Sequence, residues 1–131
     1  MATDGVVYLT YHEAVLIHIL LMRSLGEERY GVFDRSLVES ALARPKQSAS
    51  YGDADLHAQA ASLLYGLINN HPWVGGNKRT ATALTSVFLR RNGYRLATAV
   101  GDIIDLVHDV EADHKGPSEI AAWLRTHTER V

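Results

Sequence analysis

Between Ala54 and Asn70 the apolar residues Leu56, Ala60, Leu63, Leu64, Leu67 and Ile68 recur at intervals of three and four, the spacing of one buried helix face. Nowhere does the 131-residue chain alternate with period two for long enough to build a sheet. Helices must therefore pack on helices. Thr10 and Glu13 have the spacing of a capping box, and Val15, Leu16, Ile19, Leu20 and Met22 continue from it as a largely buried first helix ending near Gly26. Asp34 can cap a short second helix carrying Leu37, Val38, Ala41 and Leu42, which Pro45 closes; Lys46 to Asp53 then reads as a loop or small hairpin. Asn77 can cap a long helix through Ala81, Leu84, Val87 and Phe88, stopped by Asn92-Gly93. Asp102 can cap another with Ile103, Leu106, Val107 and Val110 inward, and Ser118 opens a last one carrying Ile120, Trp123 and Leu124. The expectation is an all-α fold: one compact domain, residues 1–131, of about six helices.

The composition can support such a core, since 47% of residues are hydrophobic and 21% charged, outside the range of disordered chains. A net charge of −2 builds in no general attraction to nucleic acid or to anionic membranes, so neither is expected as a direct partner. Cysteine is absent, which removes thiol nucleophiles, disulfides and cysteine-held metals and suits a reducing compartment. The longest apolar run, Ala14 to Met22, is interrupted by His18 and falls short of the ~20 residues of a membrane span. Met1 to Val6 carries no basic stretch or cleavage pattern, so no signal peptide and a cytoplasmic location are expected.

Charge is unevenly spread. Between Pro72 and Val100 there is no acid, and the charged residues are Lys78, Arg79, Arg90, Arg91 and Arg95. Within that interval, Asn70-His71-Pro72-Trp73-Val74-Gly75-Gly76-Asn77-Lys78-Arg79-Thr80 joins two well-marked helices. Adjacent glycines free the backbone, and the helix that follows presents unpaired N–H groups at its positive end. Asn77, Lys78 and Arg79 add an amide, a point charge and a bidentate fork at its first turn, where an anion such as phosphate would sit. No Walker pattern is present. His71, at the end of the preceding helix, has the chemistry of a general base beside a held phosphate, although a histidine at a helix end is more commonly a cap. Spacing alone supports an anion site and leaves catalysis open.

The run His71 to Thr80 resembles the signature of the Fic/Doc superfamily, which reads His-Pro-Phe-x-acid-Gly-Asn and continues Lys-Arg-Thr in the death-on-curing (Doc) branch or Gly-Arg in the Fic branch. Lys78-Arg79-Thr80 is similar to the Doc ending. DRSLVESALARP from Asp34 to Pro45, the stretch Leu63 to Arg79 and VFLRRNGYRL from Val87 to Leu96 extend the resemblance along most of the chain.

That resemblance implies a helical Fic/Doc fold and the toxin half of a toxin–antitoxin pair. It implies transfer of the γ-phosphoryl group of ATP to a threonine of elongation factor Tu, arresting translation. His71 would be the general base, Gly76 and Asn77 the anion hole, and Lys78 and Arg79 the neutralising cations. Lys46, Gln47, Ser48, Ala49, Ser50 and Tyr51 would form a flap aligning the target by strand-like pairing. The cognate antitoxin would bind through a C-terminal helical tail. Two positions depart from the family pattern. Trp73 stands where Phe is usual, and Gly75 where an Asp or Glu holds the magnesium ion that accompanies ATP, so the resemblance implies no protein metal ligand there. An acid placed at position 75 is expected to raise magnesium-dependent transfer. Two alternatives accompany this reading: a Fic-type adenylyltransferase, and a catalytically weak homologue acting through antitoxin binding and operon regulation.

Overall fold

A computed structural model describes residues 4–131. Residues 1–3, part of the stretch read for a signal peptide, lie outside the described residues. Six helices follow in order: α1 (Tyr11–Ser24), α2 (Arg35–Gly52), α3 (Leu56–Asn70), α4 (Asn77–Arg91), α5 (Val100–Glu111) and α6 (Pro117–His127). The all-α expectation holds. Helix α3 is the axis: Ala60, Ala61, Leu63, Leu64, Leu67 and Ile68 are all buried, and α2, α4 and α6 each pack along it. Leu84, Phe88 and Leu89 of α4, Leu106 and Val110 of α5, and Ile120 and Leu124 of α6 complete the core.

The helix starts at Thr10 and Asp34 form as their sequences indicate. Thr10 Oγ1 accepts from the Glu13 N–H at 3.2 Å while Glu13 Oε1 accepts from the Thr10 N–H at 2.9 Å, and Asp34 accepts from the Ser36 and Leu37 N–H groups. Other starts differ. Helix α4 begins after Gly76, not under an Asn77 cap; α5 begins after Ala99, placing Asp102 inside its first turn; α6 begins after Gly116, with Pro117 in its first turn ahead of Ser118. Helix α1 is less buried than expected: Ala14, His18 and Met22 face the core, while Leu16 and Leu20 are 56% and 57% exposed.

The largest difference is at Pro45, which does not end α2. The helix runs on to Gly52 because its inward stripe continues: Val38, Ala41, Pro45 and Ala49 keep helical spacing and are all buried. An interior proline costs ~3 kcal/mol by removing a backbone donor and crowding the preceding turn. Packing on α3 outweighs it. Arg44 Nε donates to the Ser62 carbonyl at 3.2 Å, Ser48 Oγ lies 3.4 Å from Ser62 Oγ, and a Cβ on Gly66 would run into the Arg44 side chain, so the two helices meet closely there.

A two-stranded antiparallel pair also forms, β1 (Tyr94–Leu96) with β2 (Thr128–Arg130), Arg95 facing Glu129. Three residues per strand are too few to show period two. The pair ties the end of the chain to the end of α4, with Ala97 N–H donating to the His127 carbonyl at 2.7 Å. Among the described residues no helix is long and apolar enough to cross a membrane.

Candidate phosphate cradle between helices α3 and α4

His71 closes α3 in the left-handed region, at φ 46 and ψ 56. Proline at the next position disfavours continued right-handed helix, and a non-glycine residue with positive φ carries local strain of about 1 kcal/mol or more. The turn throws the chain out of the helix with the His71 side chain exposed. Pro72 and Trp73 fold back into the core, and the chain re-enters a helix at Gly76, whose φ of 66 is the left-handed position that glycine permits. Gly75 is not left-handed.

These turns bring the motif to one cavity of about 490 Å³, a volume ordinary for small-ligand sites. His71, Gly75, Gly76, Asn77, Lys78 and Arg79 all line it. Helix α4 has no side chain capping its start, so the N–H groups of its first turn stay available beside the cavity. Asn77 is used differently from the side-chain donor expected. Its Oδ1 accepts the Trp73 N–H at 3.0 Å and its Nδ2 donates to the Trp73 carbonyl at 3.0 Å, clamping the loop. Its backbone N–H and the second Nδ2 hydrogen remain for an anion.

Lys78 and Arg79 are held by acids from elsewhere in the chain. Lys78 Nζ lies 3.1 Å from Glu111 Oε1 at the end of α5, and Arg79 Nη1 lies 3.7 Å from Glu27 Oε1. Both carboxylates line the same cavity. All four side chains are substantially exposed, so the pairs are weak and a multiply charged phosphate can displace them. Met22 and Arg29 complete the wall. Sequence spacing gave no signal for Glu27, Arg29 or Glu111, which come from a loop and from a helix more than 30 residues downstream.

The cavity's donor set does not fit a protein-held magnesium ion. Gly75 offers no oxygen side chain, and the two carboxylates of the lining, Glu27 and Glu111, are turned to Arg79 and Lys78.

Behind the loop, Trp73 is buried and stacks on the His18 ring at 4.3 Å between centroids, with 14° between planes. His18 is fully buried; its Nε2 accepts the Gly31 N–H at 2.9 Å and its Nδ1 meets Thr80 Oγ1 at 2.8 Å. An Nε2 that accepts leaves the ring proton on Nδ1, which donates to Thr80. Desolvation pushes this imidazole's pKa down to about 4, so the ring is neutral at neutral pH. A histidine inside the most apolar run of the sequence was the available signal that this position is special.

None of the flap residues lines this cavity. Lys46, Gln47, Ser48, Ala49, Ser50 and Tyr51 form the last turns of α2, and Ala49 is buried. Their backbone bonds within a helix and does not offer the extended edge that strand-like pairing needs. An extended contact does occur beside the cavity, an isolated antiparallel bridge between Val32 and Trp73, with Val74 N–H donating to the Gly31 carbonyl and Phe33 N–H to the Pro72 carbonyl, each at 2.9 Å.

Comparison with known proteins places these features in context. A family model described as Fic/DOC family matches residues 8–89. The chain is 43% identical over 98 residues to Toxin Doc of Mycolicibacterium smegmatis, a match covering 71% of this chain and 75% of that protein.

Proposed function

The chain belongs to the Fic/DOC family, and on that premise we propose that it is a Doc-like toxin with an antitoxin partner, which transfers the γ-phosphoryl group of ATP to a threonine of elongation factor Tu. The observation that carries this reading is the convergence of His71, from the end of α3, with the first turn of α4, Lys78 and Arg79 on one cavity. ATP enters as substrate. The uncapped N–H groups and the two cations take the phosphate oxygens, displacing Glu27 and Glu111. His71 removes the proton of the threonine hydroxyl as its oxygen bonds to the γ-phosphorus. The bond to the bridging oxygen breaks, and ADP leaves. A cytoplasmic site of action follows from that target.

Lys78 stands where the adenylyltransferase branch carries glycine, which favours phosphoryl over adenylyl transfer. Gly75 favours a second reading, a catalytically weak relative that acts through its antitoxin and operon regulation. The two separate in a kinetic test with purified protein. His71→Ala should lower the transfer rate ~10²–10⁴-fold while ATP binding persists, because the phosphate contacts lie on α4. Equal rates in both proteins would make His71 a helix cap and leave the second reading.

A further inference from the structure

We infer that His18 is a positioning residue of the cradle: from the core it fixes the Arg29–Gly31 wall, the Trp73–Val74 loop and the start of α4 relative to one another. Its contacts are with the elements that bound the cavity. Gly31, whose N–H it accepts, lies two residues from Arg29; Thr80 follows Arg79; Trp73, on which it stacks, precedes Val74. Arg29, Arg79 and Val74 all line the cavity while His18 does not. It acts through them.

The bonding runs in series. Gly31 donates to His18 with its N–H and accepts from the Val74 N–H with its carbonyl, so a single residue joins the imidazole to the motif loop. Asn77 grips Trp73 from the other side through two bonds. The Trp73–Val74 step is thus held from two sides, by Asn77 at the start of α4 and by Gly31, and His18 ties the Gly31 side to α4 through Thr80. An apolar side chain would fill this core position without needing partners. Both ring nitrogens are instead satisfied by groups one or two residues from the cavity lining, and small displacements of such groups are costly to ligand affinity.

The affinity part of the test rests on the ATP reading above, and the exchange part does not. ATP binding by calorimetry and amide hydrogen exchange of Val74, which does not bond to His18 directly, are measured in the wild-type chain, His18→Leu, His18→Gln and Ala14→Gly. Ala14→Gly loosens the same helix without removing a bond to the cradle. His18→Leu should weaken ATP binding at least tenfold and speed Val74 exchange at least tenfold beyond any change in global stability. His18→Gln, which can still accept the Gly31 N–H, should stay within threefold. Should His18→Leu fail to fold, Thr80→Val takes its place, with an expected loss of at least threefold; unchanged affinity there overturns the inference. It is also overturned if His18→Leu binds ATP within twofold of wild type, or no worse than Ala14→Gly at matched stability. If the wild-type chain binds no ATP, the nucleotide reading fails, and Val74 exchange alone decides the role of His18.

Discussion

The Arg29 carbonyl oxygen lies 2.8 Å from where a Cβ on Gly75 would stand, so backbone fills the space in which the family's acidic side chain begins. Real Cβ atoms do not approach an oxygen that closely. Glycine at 75 and the course of the chain through Arg29 are therefore matched. Gly75→Asp and Gly75→Ala should each cost roughly 1–3 kcal/mol in urea unfolding, the usual penalty of overpacking. This revises the expectation drawn from the sequence: with the wall in the way, Gly75→Asp should not raise magnesium-dependent transfer. Wild-type stability together with a tenfold gain would show that the wall yields freely.

Lys78 and Arg79 supply positive charge that Glu111 and Glu27 partly neutralise. Glu111→Gln removes one of these carboxylates and leaves the shape of the side chain. ATP should bind about two- to fivefold more tightly, the range expected for releasing an exposed pair, and the gain should shrink as salt is raised. Unchanged affinity at low salt would mean that the pair does not compete with the ligand.

The buried neutral His18 makes the fold acid-sensitive. Its pKa is pushed down to about 4 from an ordinary 6.5, so between those values the unfolded chain binds a proton that the native chain does not. Stability then rises with pH across this window, by roughly 3 kcal/mol in total. Burial lowers His57 in the same sense. Denaturant titrations at pH 4.5, 5.5, 6.5 and 7.5 should show this slope in the wild-type chain and a flatter one in His18→Leu. Equal slopes would assign the acid sensitivity to other groups.

Leu16 and Leu20 are one helical turn apart on α1 and lie open to solvent, although the apolar run containing them reads as buried. If an antitoxin tail docks there as an amphipathic helix, binding should carry a negative heat-capacity change. Leu16→Ser with Leu20→Ser should weaken it at least tenfold and leave stability within about 1 kcal/mol. Full affinity in the double variant would place the tail elsewhere.

Helix α3 and the capped starts at Thr10 and Asp34 were legible because local spacing and local hydrogen bonds determine them. Pro45 misled for the opposite reason: its backbone preference is local, whereas the burial of Ala41, Pro45 and Ala49 against α3 that overrides it is not. The motif from His71 to Arg79 could be read in sequence because its residues are contiguous. Glu27, Arg29 and Glu111 could not, since only folding brings them to the cavity. Asn77 shows a subtler limit, where residue type suggested a phosphate donor and geometry turned both amide atoms onto Trp73.

The most direct test of the account incubates the purified chain and elongation factor Tu with ATP labelled at either the γ- or the α-phosphate. The account predicts label on a threonine of the factor from γ-labelled ATP, none from α-labelled ATP, and loss of the signal in His71→Ala. Label from the α-position would make the chain an adenylyltransferase, and no label from either, in a chain that still binds its antitoxin, would contradict the catalytic claim.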